Sequence, residues 1–431
     1  MKISKLHIDS HFHLENISFD FSYPEGHVKF GQPLEKICFI GQSATGKTKI
    51  LELIKKSVIK LDSLEIANNQ SLFPSFNNEI EEFSFEGDII FIHDNENLGI
   101  VKEGILKGDK LFKSDLVGSG TIEKLIKSGV KLLYLSSDII SKEAINIFNQ
   151  NPADISSNLE SKKIETFHRL YKESYIYQFV QNIDEKAWYS LLSDILEYRK
   201  KFTQMASELI SRGAIGDIRK LNIEFERWAL NNVNPLTKFA SYFNPLLERL
   251  NLEVDLVNTE FSIPIKSKVN DDIVPVSGLS TGTKALLLSI FPLYQLDTHD
   301  AIILIDEPER SLFPDMQIDL IENYKNIAPN AQFIVATHSP FIAASFEPAE
   351  RFILYYDENG KVAVRRGESP IGDDPNDILR SDFNVNYYNK FGQEAYKRYV
   401  SLKEQMANEK DSQKKKELLK EVTQLGDEYK F

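Results

Sequence analysis

Eight consecutive residues constrain this chain more than any other feature. Gly41-Gln42-Ser43-Ala44-Thr45-Gly46-Lys47-Thr48 fits the pattern G-x-x-x-x-G-K-[ST] in full. The apolar run Ile37-Cys38-Phe39-Ile40 before it reads as a buried strand. After it, Ile50, Leu51, Ile54, Val58 and Ile59 recur at helical spacing. A strand, a glycine-containing turn and a helix in that order direct backbone N–H groups around an anion, and the helix N-terminus adds favourable partial charge. In such a loop Lys47 reaches the β- and γ-phosphates of a nucleotide and the Thr48 hydroxyl binds Mg²⁺.

A second element carries acid chemistry. Ala301-Ile302-Ile303-Leu304-Ile305-Asp306-Glu307 is an apolar strand with two carboxylates at its C-terminal end. Open α/β sheets place ligands at that edge. There Asp306 serves as a Mg²⁺ ligand through water, and Glu307 as the general base that polarises an attacking water. Two further strings complete the set. Leu279-Ser280-Thr281-Gly282-Thr283-Lys284 stands at the start of an apolar helical stretch, and Gln332-Phe333-Ile334-Val335-Ala336-Thr337-His338 is a strand ending in histidine.

Taken in this order, the four elements resemble those of ABC ATPases. Leu279-Ser280-Thr281-Gly282 is similar to the L-S-x-G signature, and His338 to the switch histidine near the γ-phosphate. Asp306-Glu307-Pro308-Glu309-Arg310-Ser311-Leu312-Phe313-Pro314 resembles the D-E-P-E-x-x-L-H-P stretch of SMC-like and RecF-like members, with Phe313 in place of the histidine. Ser43 stands where those proteins have asparagine, and Ser10-His11-Phe12-His13 matches their N-F-[KR] only loosely. Adenine contacts and the glutamine loop therefore stay unassigned, the strand end at residues 136–138 being the candidate for the latter. The resemblance implies an α/β ABC-type P-loop head that binds ATP with Mg²⁺. It also implies that Ser280 and Gly282 of one subunit face the nucleotide held by another, in a homodimer or a higher homo-oligomer of dimers.

Composition shifts mark the rest of the chain. Between about 160 and 250 glycine is nearly absent, and Leu, Ile, Phe and Tyr recur at helical spacing, with Gly213 and Gly216 as the tip of a hairpin. The expected organisation is an N-terminal head part (1–158), a helical insertion (159–252), a C-terminal head part (253–370) and a helical tail (371–431). Asn359-Gly360 between two β-rich runs predicts a hairpin. A charged helix of mixed sign is expected over 394–429.

Several classes are disfavoured. No apolar run approaches a bilayer span, and the N-terminus has no signal-like apolar region, so a cytoplasmic protein without membrane contact is expected. A single cysteine, Cys38, leaves no intramolecular disulfide. Net charge −13 disfavours broad attraction to nucleic acid, although DNA stays a candidate partner through a local groove. After His338 there is no further histidine for an HNH nuclease, and the last residues lack the acidic pattern of a Toprim fold.

The short insertion resembles the soluble ATPases of bacterial anti-phage defence, such as those of the Septu, PARIS and overcoming-lysogenization-defect systems. This implies a sensor or regulatory ATPase controlling a separate effector, a nuclease. Two alternatives stand beside it: a RecF-like DNA repair or maintenance ATPase, and an ATP-dependent scaffold with little turnover.

Overall fold

The computed structural model describes residues 1–66, 86–113, 131–152, 155, 175–181, 183–213, 216–385 and 390–429. A hairpin of β1 (Lys2–His11) and β2 (Leu14–Asp20) precedes β3 (Lys36–Gly41), which turns through the phosphate loop into α1 (Lys47–Ile66). Four strands follow: β4 (Glu86–His93), β5 (Glu96–Val101), β6 (Gly104–Lys107) and β7 (Lys110–Lys113). Next come β8 (Leu132–Leu135), α2 (Lys142–Asn149), β9 (Ile176–Phe179), then α3 (Glu185–Ser211), α4 (Ile218–Asn231) and α5 (Pro235–Glu248). Three short strands, β10 (Leu252–Val254), β11 (Ile265–Ser267) and β12 (Ile273–Val274), lead to α6 (Thr281–Gln295) and β13 (Ile302–Asp306). The chain continues through α7 (Leu320–Ile327), β14 (Gln332–Ala336), β15 (Arg351–Tyr356) and β16 (Val362–Arg366), and ends in α8 (Lys390–Asn408) and α9 (Ser412–Tyr429).

The central sheet runs β16-β15-β3-β14-β13-β8-β9. Every pairing in it is parallel except β15 with β16. Its strands are apolar on both faces because both faces are covered. Along β13, Ile303 and Ile305 belong to one core, with α6, while Ile302 and Leu304 belong to the other, with α1. That two-residue alternation is the pleat itself.

The second core is roofed by an antiparallel sheet, β2-β1-β4-β5-β6-β7. Phe19 of β2 and Phe21 just beyond it meet Phe39 and Phe352 of the parallel sheet edge to face, with ring centroids 5.0–6.0 Å apart. Gln332 ties the two sheets where backbone groups would otherwise be buried unpaired. Its side chain accepts from Ile3 N at 2.7 Å and donates to Ile3 O at 3.1 Å and Leu34 O at 2.7 Å.

The α/β architecture with helical segments is as expected, with two local corrections. The expected helical insertion over 159–252 contains β9, which pairs in parallel with β8 at the edge of the central sheet; its residues 159–174, 182 and 214–215 lie outside the described ones. Four residues, Ile176-Tyr177-Gln178-Phe179, are too short to declare a period, and their pairing is decided by the neighbouring strand. The first half of α3 is also part of the main core, through Ala187, Trp188, Leu191, Leu192 and Ile195. Its second half leans on α4 through Tyr198, Phe202, Phe225 and Trp228.

The tail is the second correction. The single helix expected over 394–429 is two, because Asp411 accepts from Gln413 N at 2.8 Å and so caps a new helix start. The hairpin at Asn359-Gly360 forms as expected, with Gly360 at φ +73°. Among the described residues no helix is long and apolar enough to cross a membrane.

Candidate functional site

The parallel order places β3, β14 and β13 side by side, so their C-terminal ends share one edge. The phosphate loop, Thr337-His338 and Asp306-Glu307 therefore meet although they are scattered along the chain. The loop is held by close approach. Gly41 sits at φ +143°, and a Cβ there would lie 2.1 Å from the Leu354 carbonyl oxygen. Ala44 is left-handed at φ +66°, and Tyr356 OH fixes its carbonyl at 2.9 Å. The tip of the β1–β2 hairpin closes the other side: a Cβ on Gly46 would touch Leu14 and His13 at 3.0 and 3.1 Å.

Lys47 reaches back under the loop. Its Nζ donates to Gly41 O and Gln42 O, each at 3.0 Å, which leaves one ammonium N–H for an incoming oxygen. Burial pushes its pKa down to about 8, against the opposing pull of Glu307, Asp306 and Glu309. Thr48 Oγ1 donates to the Asp306 carboxylate at 3.1 and 3.2 Å. Burial pushes Asp306 up to about 6, a shift that the Thr48 hydrogen bond opposes and Glu307 and Glu309 reinforce. A cation beside this carboxylate would oppose the burial and the two neighbouring acids and favour its charged form. A hydroxyl and a carboxylate oxygen at the foot of a phosphate loop are the oxygen donors that Mg²⁺ takes together with phosphate. The residues present thus fit the ion.

Glu307 leaves the strand in a left-handed conformation, φ +47°, its N–H held by Ala336 O at 2.8 Å. Such a backbone is costly for a non-glycine residue and here turns the side chain away from its neighbours on the strand. Its Oε1 lies 3.9 Å from His338 Nε2, with both side chains 40 % exposed. Burial pushes the His338 imidazole below its usual range; Lys47 adds to the effect and Glu307 opposes it.

Beside Glu307 a cleft of about 260 Å³ opens between Ser136 and Asp138 after β8, Thr281 of α6, and Arg310 and Ser311. Arg310 pairs with Asp138 and closes its rim. Ser280 directly precedes Thr281 of this cleft. It is exposed and caps α6, accepting from Thr283 N at 3.1 Å and sharing a 2.7 Å contact with Thr283 Oγ1. Gly282 packs under the 307–313 loop, where a Cβ would stand 2.4 Å from Ser311 O. Phe313 is exposed at 74 %.

One participant was not singled out from the sequence. Glu309 Oε1 accepts the His338 backbone N–H at 2.6 Å. Its sequence signal is its place as the second glutamate of the stretch that resembles D-E-P-E-x-x-L-H-P, which by itself assigns it no role.

The AAA ATPase domain family model matches residues 60–343, well over half of the chain. The chain belongs to that family. Among curated proteins, the family member is 36 % identical over 72 residues to the Septu protein PtuA of Bacillus thuringiensis, covering 17 % of this chain and 18 % of that protein. It is 23 % identical over 364 residues to the Retron Vc95 probable ATPase of Vibrio cholerae serotype O1 biovar El Tor, covering 70 % of this chain and 65 % of that one. It thus spans less than two thirds of the length of either relative. Among solved structures, the SMC head bound to the C-winged helix domain of ScpA is similar at TM-score 0.42 and 14 % identity, covering 85 % of this chain and 97 % of that chain. The SMC head domain from Thermotoga maritima is similar at TM-score 0.40 and 12 % identity, covering 86 % and 100 %.

Proposed function

We propose that the chain binds Mg²⁺–ATP on the phosphate loop and hydrolyses it to ADP and phosphate. The observation that carries this reading is the convergence of Lys47, Thr48, Asp306 and Glu307 at one sheet edge. N–H groups of residues 41–48 and the free ammonium N–H of Lys47 take the phosphate oxygens. Thr48 and Asp306 would hold the Mg²⁺, the latter through water, and the ion would supply positive charge to the phosphates. Glu307 accepts a proton from water as that oxygen attacks the γ-phosphorus and the bond to the β-phosphate oxygen breaks. His338, 3.9 Å from Glu307, senses the γ-phosphate beside it.

In this reading the site is completed by a second copy, whose Ser280 and Gly282 face the γ-phosphate. Its support is that Ser280 stands exposed at a helix N-terminus, bonded within its own turn, with Gly282 seated on the loop that follows Glu307. The head would consist of 1–158 and 253–370 together with β9 and the first half of α3, with the second half of α3 and α4 as a helical arm and 371–431 as a helical tail. The kinship with a Septu protein and a retron ATPase supports a role as the regulatory ATPase of an anti-phage defence system in the cytoplasm, acting on a separate effector nuclease. The test is Mg²⁺-dependent phosphate release by the purified chain, with the same assay on Glu307→Gln. A wild-type protein that releases no phosphate from ATP at saturating nucleotide defeats the reading.

A further inference from the structure

We propose that Glu309 is a positioning residue that sets the place of His338 by holding its backbone N–H. The inference rests on the ATPase reading above and adds a component to it. His338 lies just beyond the end of β14, where the ladder stops: Thr337 N still donates to Phe39 O at 3.0 Å, but the next N–H has left the sheet. Ser339 N turns back to Thr337 Oγ1 at 2.9 Å. Between these two bonds the His338 N–H is directed across to β13's following loop, and Glu309 Oε1 takes it at 2.6 Å.

The imidazole has little else to fix it. It stands 3.9 Å from Glu307 and feels the charge of Lys47, and the side chain is 40 % exposed. Its position is thus inherited from the main chain, and the main chain there is set by Glu309. The bond is charge-assisted and short, the kind that holds geometry well. Burial raises the Glu309 carboxyl above its usual range, while the His338 N–H and the Thr337 side chain pull it back toward the charged form. A carboxyl group desolvated at this cost has its compensation at the histidine. The residue sits only two positions beyond Glu307. One short segment therefore carries the base and fixes the group opposite it, so both keep register about the same γ-phosphate.

The experiment compares Glu309→Ala, Glu309→Gln and Glu309→Asp in the full chain, measuring kcat, ATP affinity and thermal midpoint. Glu309→Gln keeps a carbonyl oxygen at the same reach. It is expected to hold kcat within about threefold of wild type, whereas Glu309→Ala loses at least about tenfold, both with ATP affinity within about twofold. A purely structural role would lower the thermal midpoint without this split between kcat and affinity or rescue by glutamine. If Glu309→Ala does not fold, Glu309→Asp, which draws the acceptor back by one methylene and keeps the charge, is expected to show the loss of kcat. Full turnover in Glu309→Asp and Glu309→Ala, or glutamine as damaging as alanine, overturns the assignment while leaving ATP hydrolysis in place. Absence of turnover in the wild type overturns both.

Discussion

Thr48 Oγ1 and the Asp306 carboxylate meet at 3.1 and 3.2 Å across 258 positions of sequence. The hydroxyl donates into a buried acid whose pKa is pushed up to about 6 by burial. A raised carboxyl pKa works against the folded state once the group ionises. The native state binds the extra proton between about pH 4 and 6, so stability falls as pH rises through that window and stays lower above it.

Asp306→Asn removes that cost while keeping a carbonyl oxygen for Thr48. The substitution is expected to raise the thermal midpoint of the nucleotide-free protein at pH 7.5, corresponding to on the order of 2 kcal/mol. The gain should shrink as pH falls from 6 toward 4. Mg²⁺-dependent ATP turnover should vanish in the same variant. Calorimetry across pH 4–8 checks the first part; a variant less stable than wild type at pH 7.5 contradicts the strained, cation-seeking acid described here.

Lys47 titrates near the upper end of the physiological range because burial holds its pKa down to about 8. A bound polyphosphate keeps the ammonium protonated, whereas the free protein loses that proton above about 8. ATP affinity is therefore expected to be flat from pH 6.5 to 7.5 and to fall about tenfold per pH unit above 8. Lys47→Ala should bind no ATP. Titrations with a fluorescent nucleotide at pH 6.5–9.5 test both, and unchanged affinity at pH 9.5 contradicts the buried-lysine geometry.

What could be read in advance followed from how local each signal was. Residues 41–48 carry their own backbone geometry, and a parallel sheet then forces the strand ends at Asp306 and Thr337 to the same edge. The site was therefore legible from three short strings. Segments whose structure depends on a distant neighbour were not. β9 exists because β8 offers an edge, and β5 to β7 add to the antiparallel roof by cross-strand pairing, with Leu98 and Ile105 reaching the core beneath. The Glu309–His338 bond is of the same kind: it joins a side chain to a backbone N–H on another strand, and no residue type marks the acceptor's target.

Gly282 offers a test of packing behind the exposed signature serine. A methyl group there would press on Ser311 O at 2.4 Å, a backbone atom that cannot swing aside. Gly282→Ala is expected to cost about 1–3 kcal/mol by displacing either α6 or the loop 307–313. Because that loop carries Glu307, turnover should fall more than stability alone explains. Denaturant unfolding and steady-state kinetics on the same preparation separate the two. Wild-type values in both assays would show that the contact relaxes freely.

Sharing of the site between two copies has a direct genetic test. Ser280 caps α6 at the surface, while Lys47 is buried under its own phosphate loop, so the two act from different places in one chain. Ser280→Arg puts a long cation where the cap should meet a phosphate, and Lys47→Ala removes the nucleotide. Each variant alone is expected to be inactive, since every site in its dimer has one broken half. In a mixed dimer one site pairs an intact phosphate loop with an intact Ser280, and the other combines both defects. Equal mixing with free exchange gives about half mixed dimers, each with one working site of two, so about a quarter of wild-type turnover should return. The measurement is phosphate release after mixing, with exchange verified by a tag on one variant. No recovery under proven exchange removes the shared site and leaves Ser280 as an ordinary helix cap.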